Sequence, residues 1–401
     1  MSTVSEPEGD RALAGRLLTP EAVRQRCGEL FALAQEGRLA GWSLDLARLP
    51  AAADLVTAVI RQNYPSLEVP FHARWRHFAI GGIDRWAAVQ ARDPRMAFDL
   101  AITSVLLDAG AGMAWRYRES GTGREFARSE GLAVASFAMF TAGAFATDRR
   151  SPRADAARLA GLTADDLATG FQVGPGNPLI GLEGRAALLR RLGGVVAAAP
   201  TVFAGRPGGL FDHLAAQADA GILPARAILL AILHHLGGIW PGRETLGGVN
   251  LGDCWRHPGI DAADGLVPFH KLSQWLAYSL IEPLEAAGLR VSGIDALTGL
   301  PEYRNGGLFL DLGVIRLVDP EDAAREHAPG SPLIVGWRAL TVALLDALAP
   351  LVRDRLGMTA EAFPLARVLE GGSWWAGRRL AAERRADGGP PLIIASDGTL
   401  F

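Results

Sequence analysis

Three stretches of this sequence bring polar side chains close enough together to act on an anion or a sugar. The first is DGLVPFHKLSQWLAYSLIEPL, residues 264–284. Gly265 and Pro268 make a turn, and His270, Lys271 and Gln274 fall at the start of the helix that follows. Positions 270 and 274 share a face, as do 271 and 275. Backbone N–H groups at a helix start point outward and attract anions, and Lys271 adds a charge there. A cation in the first helical turn opposes the helix dipole unless an anion offsets it, so this start suits a phosphate or a carboxylate. The alternative puts Trp275 and Leu276 in the core and Lys271 on the surface. Lys271 has a further peculiarity. Of 40 basic residues it is the only lysine. Abundant Ala, Gly and Arg suggest a GC-rich gene that replaces Lys by Arg wherever either serves. A lysine kept against that pressure points to a need for a compact ammonium, or else survived by chance.

The second stretch is LTGLPEYRNGGLFLDLG, residues 297–313. After Pro301, Glu302, Tyr303 and Arg304 offer a carboxylate, a phenol and a guanidinium within one turn. Asn305-Gly306-Gly307 permits tight backbone, for turning or for close ligand approach. The plainer reading is a capping Glu302 paired locally with Arg304. The third stretch holds His72, Arg74, Trp75, Arg76 and His77. Two arginines among aromatics fit an anion or ribose-phosphate pocket with a stacking wall, or an ordinary boundary where arginines snorkel. The tail, SDGTLF, ends in two apolar residues and reads as docking into a groove, either closing a site with Asp397 near it or only packing.

Several chemistries are disfavoured. Cys27 and Cys254 form no spaced metal or redox motif, and no histidine pair with a third ligand stands out, so no metal or cofactor is expected. His234-His235 lies on an apolar helix and reads as one satisfied core histidine and one partly exposed. No dinucleotide fingerprint, Walker loop or nucleophile elbow is present. The net charge is −3, the pI is about 6.3, and no basic stripe favours nucleic acid. The N-terminus lacks an apolar signal region. The best membrane candidate, residues 225–240, is too short and holds Arg226 and two histidines. A cytoplasmic protein without membrane or nucleic-acid partners follows as the expectation, and a homodimer is compatible with it.

The elements that must position these groups are mostly helical. With 401 residues, 49% of them hydrophobic, the chain can bury a large core. Thr19-Pro20-Glu21 starts a helix over 20–38, with Val23, Cys27, Leu30, Phe31 and Ala34 on its apolar face. With that one, the expected helices run over 20–38, 46–63, 97–107, from the Gly/Pro loop of 170–185 through Arg190 and beyond, 222–236, 269–287 and 337–356. Pro283 ends or kinks the sixth of these. RESGTGREF is turn-like, 241–266 is irregular, and the segment after Pro391 allows one short strand. The class is mainly α. One globular unit over 1–401 is expected, with helical sub-parts 1–180 and 181–401, the latter carrying Lys271 and Glu302.

Several stretches, in order from about residue 65 to 401, resemble the uracil-catabolism family of fungi and bacteria, long catalogued as a domain of unknown function. They are FHARWRHF, GFQVGPGNPLIGLEGR, LVPFHKLSQWLAYSLIEPL, LTGLPEYRNGGLFLDLGV, EGGSWWAGRR and SDGTLF. That family is placed in a pathway that makes a uracil nucleotide, opens its ring and releases urea. A more distant resemblance is to the queuosine-nucleotide glycosidases of queuine salvage, themselves similar to helix-hairpin-helix DNA glycosylases. The shared pieces are the aromatic segment from Phe71 to Phe78, the helix from Pro178 to Arg185, Lys271 with Gln274, and Glu302-Tyr303-Arg304 before Leu312-Gly313. Where those enzymes carry Asp-Tyr-Arg, this chain has Glu302, a change that moves the oxygens by about 1 Å.

Together the resemblances imply a helix-hairpin-helix glycosylase-like fold and N-ribosyl hydrolysis of ribosylurea or its 5′-phosphate, a small nucleotide-derived substrate. Glu302 would supply the anion beneath the sugar and activate water. Lys271 and Arg304 would hold phosphate or hydroxyls, and Phe71 or Trp75 would wall the ribose or urea plane. Tyr303, His270, Gln274, His72, Arg74, Arg76 and Asp397 complete the expected substrate contacts. A covalent imine on Lys271 is the alternative to direct hydrolysis. The rival functions are an amide or ureido hydrolase acting on the ring-opened nucleotide and a non-catalytic pathway scaffold.

Overall fold

The computed structural model describes residues 6–90, 93–262 and 264–395. Helices dominate, and the strands among the described residues form only two-stranded pairings, so the protein is mainly α. The described residues divide into two compact units, each built from discontinuous segments: 6–72, 242–274 and 293–395 in the first, and 73–241 and 275–292 in the second.

The first unit is organised on the helix Pro332–Leu356. The Ser331 side chain accepts from Ile334 N–H, Pro332 takes the first helical position, and Gly357 ends the helix at φ 69°. Pro20–Gln35 and Leu49–Asn63 pack against it. In Pro20–Gln35, Thr19 caps by accepting from Ala22 N–H at 3.2 Å. Val23, Cys27, Leu30 and Ala34 are buried, as the spacing predicts, while Phe31 is half-buried. Pro332–Leu356 is long and apolar enough to cross a membrane, but 72% of its apolar window is buried, as in a core helix. The helix expected over 337–356 is this one, and it starts earlier, at Pro332, behind the Ser331 cap. Arg338 is itself buried and meets Asp253 with both Nη groups, at 2.8 and 2.7 Å.

Helix Tyr303–Asp311 lies between Pro332–Leu356 and Trp374–Arg384. Asn305-Gly306-Gly307, whose glycines suggest a turn, is helical. The glycines answer to packing: a Cβ on Gly306 would lie 2.8 Å from the Trp337 ring and 2.9 Å from Thr341 Oγ1. A Cβ on Gly377 would run into the carbonyl oxygen of Arg304. Gly377→Ala therefore has to separate two helix backbones and is expected to cost about 1–3 kcal/mol. An unchanged denaturant midpoint would show that the two helices are not so closely apposed.

In the second unit, Pro94–Leu106 is buried on every side from Met96 onward, and Arg128–Thr141 packs on it and on the short helix Arg74–Phe78. The turn-like RESGTGREF is a hairpin pairing Tyr117–Arg118 with Glu125–Phe126. Leu182–Ala198, Ala225–Leu236 and a parallel pairing of Ile222–Pro224 with Arg290–Ser292 complete the unit.

Candidate functional site

The helix Lys271–Ala286 begins where the sequence places it. The anion that its start calls for includes one from the protein itself. Asp253, just before the strand Cys254–Arg256, accepts the Lys271 backbone N–H at 2.9 Å and the Trp255 indole N–H at 2.8 Å, besides meeting Arg338. Burial pushes the Asp253 carboxyl up, but the Arg338 charge and these hydrogen bonds outweigh it and hold the group well below the usual carboxylate range. The Lys271 side chain is half-buried. His270 is committed to the fold. It sits at φ 50°, it is 2% exposed, and its Nε2 lies 2.9 Å from the carbonyl of Leu17. Burial lowers its pKa and keeps the ring neutral. Gln274 is fully buried. Its Oε1 accepts Thr298 N–H at 3.3 Å, and its Nε2 has no acceptor among the described residues.

Glu302 is the N-cap of Tyr303–Asp311. One carboxylate oxygen accepts Arg304 N–H at 2.8 Å and the other accepts Asn305 N–H at 2.7 Å. The local ion pair with Arg304 is not formed: the guanidinium makes no salt bridge and no hydrogen bond among the described residues. Arg304 is only 4% exposed. Its guanidinium lies 5.1 Å from the Tyr303 ring and 5.2 Å from the Trp374 ring, and its Nη1 is buried without an acceptor.

This sets Arg304 apart. Every other deeply buried arginine is compensated: Arg26 by Asp264, Arg74 by Asp108, Arg85 by Glu119, Arg338 by Asp253, and Arg185 by the carbonyls of Leu107, Ala109, Gly110 and Ile180. Two cation–π contacts contribute about 0.5–2 kcal/mol each, against several kcal/mol for desolvating an unpaired charge. Arg304 is thus a buried cation that no carboxylate meets among the described residues.

The surroundings of Arg304 include groups that sequence reasoning missed. Leu369–Ser373 forms a π-helical turn, a feature frequent at functional sites. Gly371 and Gly372 let it lie on the Leu49–Asn63 helix, since a Cβ on Gly372 would fall 2.5 Å from Val56. The turn presents Glu370, 6% exposed, whose Oε2 meets His72 Nδ1 at 2.7 Å. The His72 ring lies 6.3 Å from the Trp374 ring, so Trp374 touches both His72 and Arg304. Arg367 lies over Phe71 at 5.4 Å. Ser373 donates to Asn305 Oδ1 at 2.8 Å, tying the turn to the Glu302 helix. Glu370, Arg367 and Trp374 carry no local signal, because their meaning depends on partners far along the chain.

The cluster at 71–77 divides. Phe71 and His72 belong to the first unit, and Arg74, Trp75, Arg76 and His77 to the second. Arg74 is paired with Asp108 and donates to Ser104 Oγ at 2.8 Å, while Arg76 meets Glu282 at 2.5 Å. The Trp75 indole donates to the Ser279 carbonyl at 2.7 Å, and His77 packs edge-on to Trp275. A 430 Å³ cleft beside Trp75 and Arg76 also carries Asp84, Asp93 and Glu282, an acidic lining that disfavours an anion. The reading of this cluster as an anion pocket meets arginines that already have carboxylates. Asp397 and the rest of the tail lie outside the described residues, as does any test of their docking.

A family described as "Protein of unknown function (DUF1688)" matches residues 16–401. Among curated proteins, the chain is 40% identical over 407 residues to "Protein urg3" of Schizosaccharomyces pombe, covering 96% of this chain and 98% of that one. It is 36% identical over 428 residues to "Uracil catabolism protein 4" of Lachancea kluyveri, covering 95% and 97%. With both its own length and the helix starts at Lys271 and Tyr303 inside the matched region, the chain belongs to this uracil-catabolism family, DUF1688.

Proposed function

We propose that the protein is a hydrolase of uracil catabolism that cleaves the N-ribosidic bond of ribosylurea, free or as its 5′-phosphate, giving urea and ribose or ribose 5-phosphate. The name of the Lachancea kluyveri relative supports the pathway. One observation supports the reaction: Glu302 and Arg304 stand at one helix start without pairing with each other, and Arg304 has no acidic partner among the described residues. The order of pieces shared with the queuosine-nucleotide glycosidases agrees with it.

Cleavage of the C1′–N bond leaves the electron pair on the departing urea nitrogen and positive charge across C1′ and the ring oxygen. A carboxylate already fixed by two backbone N–H groups needs little reorganisation to stabilise that charge. Glu302 has this form. Water adds to C1′ and loses a proton, and the departing urea nitrogen gains one. The acceptor of the water proton is Glu302 or the imidazole of His72, which Glu370 orients through Nδ1. Lys271 and Arg304 bind the substrate's phosphate or hydroxyls, and Gln274 Nε2 and Tyr303 add donors.

His72→Asn should lower kcat by about 100-fold or more if the imidazole takes that proton. A variant within twofold of wild type leaves Glu302 as the sole base. Lys271→Arg keeps the charge and loses the compact ammonium, and kcat/KM should fall by about tenfold or more. Unchanged kinetics in that variant would remove Lys271 from the mechanism. Borohydride added during turnover separates direct hydrolysis, which leaves no adduct, from an imine on Lys271, which leaves a reduced sugar on the protein.

A further inference from the structure

We infer that Arg304 is the cationic floor of a phosphoryl subsite, so that the substrate is a sugar phosphate and not the free riboside. The identity of the sugar rests on the ribosyl-hydrolase reading; the anion subsite does not. The inference starts from charge. A hydroxyl can satisfy the hydrogen bonds of Arg304 but cannot neutralise it. The guanidinium is buried to 4% exposure and no carboxylate meets it among the described residues. Tyr303 and Trp374 cover it at 5.1 and 5.2 Å, which leaves its N–H edge for the ligand. A planar fork of N–H donors complements an oxyanion with two oxygens side by side.

A second guanidinium of the same unit, that of Arg367, also lacks an acidic partner among the described residues, and its Nε is buried without an acceptor. Its Nη1 donates only to the Ala362 carbonyl, at 2.8 Å. It lies over the ring of Phe71, the chain neighbour of His72, at 5.4 Å. The carboxylates nearby are occupied: Glu370 by His72, and Glu302 by two backbone N–H groups. A phosphate monoester carries a charge near −2 at neutral pH and three oxygens to offer the fork, against one charge and two oxygens in a carboxylate.

The test uses the full chain and four probes: inorganic phosphate, ribose 5-phosphate, ribose and acetate, titrated calorimetrically. Saturable binding of ribose 5-phosphate, weaker binding of inorganic phosphate, and none of ribose or acetate is expected. Arg304→Met should weaken ribose 5-phosphate at least tenfold, and Arg304→Lys, which keeps the charge but loses the fork, should fall between. With ribosylurea as substrate, the preference in kcat/KM for the 5′-phosphate should shrink at least tenfold in either variant. Should Arg304→Met fail to fold, the lysine variant alone decides. Phosphate binding unchanged in the variants, or acetate binding as well as phosphate, overturns the subsite. Urea release from unphosphorylated ribosylurea at full rate also overturns it but leaves the hydrolase reading standing. Phosphate binding that depends on Arg304, with no urea from either substrate, does the reverse.

Discussion

Glu302→Asn is expected to fold and to lose at least 1,000-fold in kcat. Asparagine is among the best N-cap residues, so its carbonyl keeps the start of Tyr303–Asp311 hydrogen-bonded. What it removes is the negative charge that the proposal places against the cationic sugar. Glutamine is the poorer test. Both Glu302 oxygens receive backbone N–H groups, from Arg304 and Asn305, and the glutamine amide nitrogen can accept neither. Glu302→Gln would therefore mix a cap loss of about 0.5–2 kcal/mol with any catalytic effect. Glu302→Asp keeps charge and cap but draws the oxygens back by about one methylene, and an intermediate rate is expected. The rates should fall in the order Glu, Asp, Asn while thermal midpoints stay within a few degrees. If rate instead follows midpoint across the three, Glu302 only builds the helix.

The second large effect concerns stability. Asp253 takes both Nη groups of Arg338, the indole of Trp255 and the backbone N–H of Lys271. Asp253→Asn leaves the buried Arg338 without that carboxylate and loosens the helix start. Breaking a buried pair on one side typically costs about 3–5 kcal/mol. A thermal midpoint roughly 10 °C lower is the expected result. The pH dependence has a definite sign. The folded pKa of Asp253 lies below its unfolded value of about 3.9, so its contribution is complete above that pH and declines as pH falls below it. His270 is buried and neutral, with a folded pKa below the unfolded value of about 6.5, so its share begins to decline sooner, as pH falls below 6.5. Acid unfolding of wild type should show both losses, and Asp253→Asn should lack the one near pH 4. A flat stability between pH 7 and 3 would contradict both assignments.

Much of the fold was legible because its cues are local. Thr19-Pro20 caps a helix, and the apolar spacing after it names the buried residues Val23, Cys27, Leu30 and Ala34. The helix start at Lys271 could be read from turn residues and a following apolar face. The helix over 337–356 was legible although its start at Pro332 was not, and the burial of Arg338 within it makes sense only with Asp253, 85 residues away. Asn305-Gly306-Gly307 looked like a turn because glycine's flexibility is a local property. The reason for Gly306 is the Trp337 ring, which sequence spacing does not reveal.

The site shows the same division. Glu302, Tyr303 and Arg304 stood out as three functional groups in one turn. The dipole of the Lys271 helix called for an anion, and one exists in Asp253, 18 residues earlier. Glu370 was invisible as a functional group because its partner, His72, lies 298 residues away. Arg74 and Arg76 looked available until Asp108 and Glu282 were seen to hold them. The interleaving of segments in the two units has no compositional marker, since the same helical pattern runs through both.

The most direct test is to incubate the purified protein with ribosylurea 5′-phosphate and assay urea and reducing sugar together. Urea and ribose 5-phosphate released in equal amounts by wild type, and by Glu302→Asn at less than a thousandth of that rate, is the predicted result. Ammonia and carbon dioxide in place of urea would show ureido hydrolysis, whose ribosylamine product itself decays to a reducing sugar, and no turnover at all would leave a scaffold; either contradicts the glycosidase.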